Sequence, residues 1–260
     1  MLRTQFTETH CLHHIMPESD RLFILRFMKQ MIVGLDLSFN STGIAISYLE
    51  DWKAKYVTLH RLVFDDESRK TENWQPKPII NVVQEVYRMP RNIDRSQFSI
   101  NKDPDDFSTE QITATLKAMV CAKRISKILD KQLSEYQPDA VFFNIEGAIT
   151  PMFSTANQMR VIAELTVLQG YVREWIVRNY INKEYSNYVL HITPPNQLKR
   201  FFTGNGKADK DRMYQSFIEN WDGIKLMPLR TNSKIDDVVD AFALMCFMYN
   251  QLISAGQITL

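Results

Sequence analysis

Three apolar segments follow one another closely in the first quarter of this 260-residue chain, and they limit its possible folds more than any other feature. They are MIVGLDL from Met31, TGIAISYL from Thr42 and AKYVTLHRLVF from Ala54. β-Branched and aromatic residues are enriched in them, and turn residues such as SFNS join them. Because the connections are short, the pattern predicts an antiparallel three-stranded meander.

Helical and strand patterns alternate after the meander. Apolar residues at helical spacing predict helices over residues 109–136, 155–180, 208–221 and 234–252, and a proline opens a short helix at PNQLKRFF. Between them, AVFFNIEG and YVLHIT are typical of buried strands. A meander followed by alternating helices and strands predicts an α/β fold, with helices packed on a mixed sheet.

Two stretches fall outside this pattern. Residues 1–30 are irregular and are interpreted as an N-terminal extension, and residues 65–108, rich in Asp and Pro, as an excursion inserted into a single domain over 31–252. Residues 253–260 form a C-terminal tail. The extension carries a possible metal-binding cluster whose spacing matches no common zinc pattern, at His10, Cys11, His13 and His14.

The overall composition excludes several classes of protein. The 31 Lys and Arg balance 30 Asp and Glu, so any nucleic-acid surface must come from local segregation of charge. Three cysteines without a CxxC pair argue against a disulfide framework or a zinc knuckle. No apolar run reaches the roughly eighteen residues of a membrane span. We therefore expect a cytoplasmic protein with no membrane partner.

Acidic residues stand where a buried strand normally holds none. Asp36 interrupts the apolar run of the first strand, and Glu146 ends the run Val141–Ile145. Burying an unpaired carboxylate costs several kcal/mol, about 3 or more, so such residues usually have a cation or hydrogen-bond partners. Two strand-end acids suggest a shared metal ion.

A third acidic element is the predicted helix KIDDVVDAFALM. Asp237 and Asp240 are three residues apart and share a helix face, but Asp236 and Asp240, four apart, share one equally well. Favourable interaction with the helix dipole could alone explain any one of them. Carboxylates without His or Cys favour Mg²⁺, with Mn²⁺ as a substitute, and two ions about 4 Å apart suit phosphodiester hydrolysis.

The order strand Asp, strand Glu, helical Asp-x-x-Asp resembles that of RuvC-type Holliday junction resolvases, within the RNase H-like superfamily. The pattern falls on Asp36 in GLDLS, Glu146 in FNIEG, and Asp237 with Asp240 in DVVDAFAL. The resemblance selects Asp237 over Asp236, and it covers residues 31–63 and about 110–252. It implies an RNase H-like sheet, these four acids as catalytic metal ligands, and a homodimer that nicks branched DNA twice.

The segment TPPNQLKRFFTGNGKADKDRM also resembles the family, with lysines at its basic positions. Independently of this resemblance, the segment concentrates positive charge around a flexible turn, and such a patch suits contact with phosphates. A solvated helix face would have a similar composition. The predicted DNA-binding residues are Lys199, Arg200, Lys207, Lys210 and Arg212. Lys210 is expected near the scissile phosphate as electrostatic support, and Phe153 as the junction wedge.

Three other interpretations remain open. The chain could be an RNase H-like nuclease with another nucleic-acid substrate, or a non-catalytic junction-binding protein whose acids only cap and pair. GLDLSFNSTGIA is also similar to the first phosphate loop of actin-like and sugar-kinase ATPases. Because the chain has 8 glycines and no second glycine-rich phosphate loop, we expect no nucleotide cofactor.

Overall fold

A computed structural model describes residues 29–51, 53–66, 82–89, 107–147, 156–181, 187–220 and 235–255. The strands are β1 (Lys29–Asp36), β2 (Ser41–Glu50), β3 (Lys53–Asp66), β4 (Val82–Met89), β5 (Ala140–Glu146) and β6 (Asn187–Thr193). The α-helices are α1 (Phe107–Tyr136), α2 (Ala156–Ile176), α3 (Pro195–Thr203), α4 (Lys210–Asn220) and α5 (Asp236–Ser254). A π-helical turn, Val177–Ile181, extends α2.

The six strands form one mixed sheet in the order β4-β3-β2-β1-β5-β6. β1, β2 and β3 pair antiparallel, whereas β5 runs parallel to β1 and β6 runs parallel to β5. The meander and the helices that alternate with later strands lie where the sequence predicts them. The predicted α/β fold class, a mixed sheet of an antiparallel meander and parallel strands flanked by helices, is therefore confirmed.

β4 is an element that the sequence pattern did not predict. It lies within the 65–108 stretch and pairs parallel to β3, so that it adds a sixth strand at one edge of the sheet. An edge strand has one neighbour and packs weakly, and here Val82 is buried while Val83 is exposed. The rest of that stretch between 67 and 106 lies outside the described residues, as do residues 1–28 with their His and Cys cluster.

Helices cover both faces of the sheet. α5, supported by α3 and α4, packs on the face that carries Ile32 and Phe142, and α1 with α2 packs on the face that carries Val33 and Phe143. Residues that alternate along β1 and β5 thus enter two separate cores, which explains why these strands are apolar throughout. None of the described helices is long and apolar enough to cross a membrane.

Candidate metal centre

Two acids meet where parallel strands end. Asp36 is the last residue of β1 and Glu146 is the last residue of β5. The two strands are parallel neighbours with Leu35 opposite Ile145, so both acids lie at the same edge of the sheet, one residue beyond this pair. Gln169 of α2 donates a hydrogen bond of 2.8 Å to the backbone carbonyl of Glu146 and so fixes the end of β5.

Two glycines bring α5 onto the sheet beside these acids. A Cβ atom at Gly34 would lie 2.0 Å from the carbonyl oxygen of Ala241, and one at Gly43 would lie 1.9 Å from that of Asp237. The backbone of α5 therefore rests directly on β1 and β2. Because Gly43 is the cross-strand partner of Asp36, the first turn of α5 comes close to the end of β1.

A buried hydrogen bond joins the middle of α5 to β5. The side-chain amide of Asn144 on β5 donates to the carbonyl of Leu244 at 2.8 Å, and its oxygen accepts from the hydroxyl of Thr193, also at 2.8 Å. All of these polar groups are satisfied, so the contact fixes the position of the helix across β5 and β6 at little desolvation cost. Asn144 was not among the predicted site residues, although a polar residue inside the run AVFFNIE is a visible signal.

The three acids Asp36, Glu146 and Asp240 interact unfavourably with one another. Burial and then repulsion from Glu146 and Asp240 raise the pKa of Asp36 well above its ordinary value. Burial and then Asp240 raise the pKa of Glu146 to about 7, while Lys199 and a hydrogen bond with Asp36 oppose the rise. Burial and then Asp236 raise the pKa of Asp240 to about 6. The site thus gathers negative charge that the surrounding protein only partly balances.

Two lysines lie at the open side of these acids. Lys199 of α3 and Lys210 of α4 line a shallow pocket together with Met213, Asp236, Val239 and Asp240. Lys210 donates to Asp236 at 2.5 Å, and this hydrogen bond is the main reason that its pKa is raised. The ammonium group is thus held next to Asp240, although most of the Lys210 side chain is exposed.

Asp237 has a different environment from the other acids. Its carboxylate accepts hydrogen bonds from the hydroxyl of Ser41 and from Nε of Arg61, the latter at 3.0 Å, and both charged side chains are almost buried. Neither Arg61 nor Ser41 was among the predicted site residues. A signal was present, because Arg61 lies between Leu59 and Val63 in the alternating pattern of β3.

The donor set fits a hard divalent cation. Asp36, Glu146 and Asp240 offer only oxygen atoms, repel one another, and form no ion pair within the described part of the chain. As they are placed, no three acidic, histidine or cysteine side chains among the described residues are close enough to hold an ion. Binding a cation would require these carboxylates to move together, since in its absence Asp36 is repelled by Glu146 and Asp240.

The predicted DNA-binding residues near this pocket differ in their exposure to solvent. Lys199 is partly buried, whereas Arg200, Lys207 and Arg212 are exposed. In the turn between α3 and α4, Gly204 adopts a φ of 78° and the side chain of Asn205 accepts a hydrogen bond from the amide of Lys207 at 3.0 Å. Phe153, the predicted wedge, lies outside the described residues.

This chain is similar to several solved structures, but its sequence matches no family model. No protein-family model and no curated protein match this sequence. Thermus thermophilus RuvC in complex with a Holliday junction substrate is 12% identical, with a TM-score of 0.38 over 86% of this chain and 96% of that one. The yeast mitochondrial Holliday junction resolvase Ydc2 is 10% identical, with a TM-score of 0.44 over 94% and 89% of the two chains. The human cytomegalovirus terminase nuclease domain is 14% identical, with a TM-score of 0.26 over 90% and 94%.

Proposed function

We propose that this protein is a divalent-metal-dependent DNA endonuclease that cleaves Holliday or other branched junctions. One observation carries the proposal: Asp36, Glu146 and Asp240 converge at one edge of the sheet without ion-pair partners among the described residues, beside Lys199 and Lys210. Unpaired acids of this kind are costly to keep, so their presence together indicates a function rather than a contribution to stability.

Asp36, Glu146 and Asp240 are the residues that would hold the metal, with Mg²⁺ the expected ion and Mn²⁺ its substitute. When bound, the metal supplies Lewis-acid polarisation of a phosphate oxygen and a water molecule of lowered pKa. The oxygen-only donor set argues against zinc.

The lysines are assigned to the substrate phosphate. The side chain of Lys210 is 71% exposed, and its ion pair with Asp236 is therefore weak enough for the ammonium group to turn towards a phosphate oxygen. Lys199 lowers the pKa values of Glu146 and Asp240 and so interacts favourably with their charged forms. Positive charge at these points stabilises the negative charge that develops on the phosphate during cleavage.

Branched DNA is the substrate that the resemblance to RuvC-type resolvases implies. The exposed Arg200, Lys207 and Arg212 lie on α3, α4 and the turn between them, where they are available to the DNA backbone on either side of the scissile phosphate. Backbone contacts give affinity without sequence information, so the choice of a junction over a linear duplex must come from shape.

Paired nicks across a junction need two active sites, and we propose a homodimer for that reason. The amphipathic sequence of α2 makes this helix one candidate for the interface, although a core helix would have the same pattern. Leu168, Val172 and Ile176 of α2 are buried in the core against α1, so this face of the helix is not available to a second subunit. Sedimentation equilibrium of the protein alone and with a four-way junction would measure the subunit number, and a monomer in both cases would contradict the proposal.

The activity is tested with a labelled mobile four-way junction beside a matched linear duplex, single-stranded DNA and an RNA–DNA hybrid. Each substrate is incubated in Mg²⁺, in Mn²⁺ and in EDTA. The wild type is compared with Asp240→Asn and with Glu135→Gln, a matched control at an exposed acid on α1, across the sheet from the site. We expect paired nicks confined to the junction, dependent on the metal, lost in Asp240→Asn and unchanged in Glu135→Gln.

Other outcomes point to the other interpretations. Metal-dependent cleavage of the hybrid or of linear duplex would keep the nuclease but remove the junction as its preferred substrate. Binding of the junction without cleavage in either metal would favour a non-catalytic binding protein. Cleavage that survives in Asp240→Asn would show that the three acids are not the active site.

A further inference from the structure

The ion pair between Arg61 and Asp237 occupies one side of the acidic site. Nε of Arg61 lies 3.0 Å from Oδ2 of Asp237, and the Ser41 hydroxyl donates to the same oxygen. The two charged side chains are only 13% and 9% exposed, so solvent screens the pair weakly. At this burial, separating the partners would leave an uncompensated charge inside the protein.

Strand register shows that Arg61 faces the site rather than merely lying near it. Asp36 of β1 is opposite Gly43 of β2, and Gly43 is opposite Arg61 of β3. Residues opposite one another across neighbouring strands point to the same face of a sheet, so Arg61 and Asp36 project towards α5 with only a glycine between them. The glycine leaves room for the Asp237 end of α5.

The net charge of the site indicates how many divalent cations it can neutralise. Five acidic side chains in and around the site face three basic ones, so two negative charges are left unbalanced when all are ionised. The acids are Asp36, Glu146, Asp236, Asp237 and Asp240, and the basic residues are Arg61, Lys199 and Lys210. One divalent cation neutralises this charge, whereas a second would leave an excess of positive charge.

We propose that Arg61 stands in place of a second metal ion. By neutralising Asp237, it keeps that carboxylate from acting as a ligand and restricts the site to one divalent cation, bound by Asp36, Glu146 and Asp240. The inference rests on the proposed metal-dependent function and goes beyond it. Arg61 is a positioning residue on this account, because it acts through Asp237.

The test is a count of bound Mn²⁺ per chain, measured by electron paramagnetic resonance of the free ion during titration, without DNA. The wild type and Arg61→Lys, which keeps the positive charge, should each bind one ion. Arg61→Gln should bind two, because Asp237 is released to act as a ligand. The double variant Arg61→Gln/Asp237→Asn should return to one ion, and Asp237→Asn alone should keep one ion with an affinity within about threefold of the wild type.

Circular dichroism and thermal unfolding establish that each variant is folded. If Arg61→Gln does not fold, Asp237→Asn and Arg61→Lys still decide the matter. Two ions in the wild type, loss of the ion in Asp237→Asn, or one ion in a folded Arg61→Gln would each overturn the inference while leaving a metal-dependent nuclease intact. Failure of the wild type to bind any Mn²⁺ would instead overturn the proposed function, and the inference with it.

Discussion

The strand-end acids and the first-turn acids of α5 share one edge of the sheet, but they are balanced in different ways. Asp36 and Glu146 face each other and Asp240, and their pKa values are raised by burial and by like charge. Asp236 and Asp237 each have a basic partner, Lys210 and Arg61 respectively. A paired acid holds the structure together, whereas an unpaired acid costs stability until a cation arrives.

Because of this difference, neutralising a carboxylate should have opposite effects on the stability of the metal-free protein in the two groups. Neutralising a strand-end acid removes repulsion and should raise the free energy of unfolding of the metal-free protein. Neutralising Asp237 leaves the almost buried Arg61 without an opposite charge and should lower the free energy of unfolding.

Asp36→Asn should lower the single-turnover cleavage rate of a junction in Mg²⁺ by about a thousandfold, equivalent to about 4 kcal/mol of transition-state stabilisation. The amide cannot replace the carboxylate as a charged ligand. The same variant should melt at a higher temperature than the wild type in EDTA, because repulsion from Glu146 and Asp240 is relieved. Rates are measured with excess enzyme, and melting by circular dichroism.

Asp237→Asn is the matched comparison for melting and should shift the temperature downwards. If Asp36→Asn also lowered the melting temperature in EDTA, the strand-end acids would be structural, and the contrast between the two groups would not hold.

Gly43→Ala should separate the two groups of acids physically. The new methyl group would need to occupy a position 1.9 Å from the carbonyl oxygen of Asp237, so α5 must move away from β2. We expect a loss of about 3 kcal/mol in the free energy of unfolding and weaker Mn²⁺ binding. Urea unfolding and Mn²⁺ titration measure the two effects.

Gly170→Ala is the control for that experiment. Nothing lies within 4 Å of a Cβ atom at Gly170, which is exposed on α2. Alanine should stabilise this helix by about 0.5–1 kcal/mol and leave ion binding unchanged. Equal behaviour of the two alanine variants would show that α5 is not positioned by its contact with Gly43.

The sequence could predict most of the sheet and three acids of the site because each has a local signal. Asp36 and Glu146 stand out as charges at the ends of apolar strands, and Asp240 interrupts the apolar run from Val238 to Met248. Parallel pairing of β1 with β5 then places the first two together without any further information.

Partners distant in sequence could not be predicted in the same way. Arg61 and Asp237 are 176 residues apart, and nothing near either residue indicates the other. Spacing left Asp236 and Asp237 equivalent, and only their three-dimensional partners distinguish them. β4 was missed because an edge strand buries few side chains, so its alternation is weak.

The metal-free protein should lose stability as the pH rises from 6.5 to 8. The folded pKa of Glu146 is about 7, against a value near 4.3 in an unfolded chain, so the folded state holds more protons in this range. Stability present at low pH is then lost as pH passes through the folded value. Allowing for solvent screening, we expect about 1 kcal/mol, or a fall of a few degrees in melting temperature in EDTA.

His60 opposes this trend towards lower pH. Burial, followed by Lys131, lowers its pKa to about 4, so below pH 6.5 the unfolded state takes up a proton at this residue and offsets part of the contribution of the raised acids. Asp36→Asn should flatten the slope above pH 6.5. An unchanged slope in this variant would show that acids other than the strand-end pair are responsible.

Asp236→Asn should have the smallest effect and should resolve the ambiguity that helical spacing leaves. The Lys210–Asp236 pair is largely exposed, so its loss should change the free energy of unfolding by less than about 0.5 kcal/mol. Asp236 is the charged neighbour that contributes most to the raised pKa of Asp240, so its removal favours the charged form of Asp240. Cleavage at pH 6 should therefore rise about twofold, with no change at pH 8, where Asp240 is already ionised. A tenfold loss at both pH values would instead make Asp236 a direct participant, and the four-residue spacing with Asp240 would be the functional one.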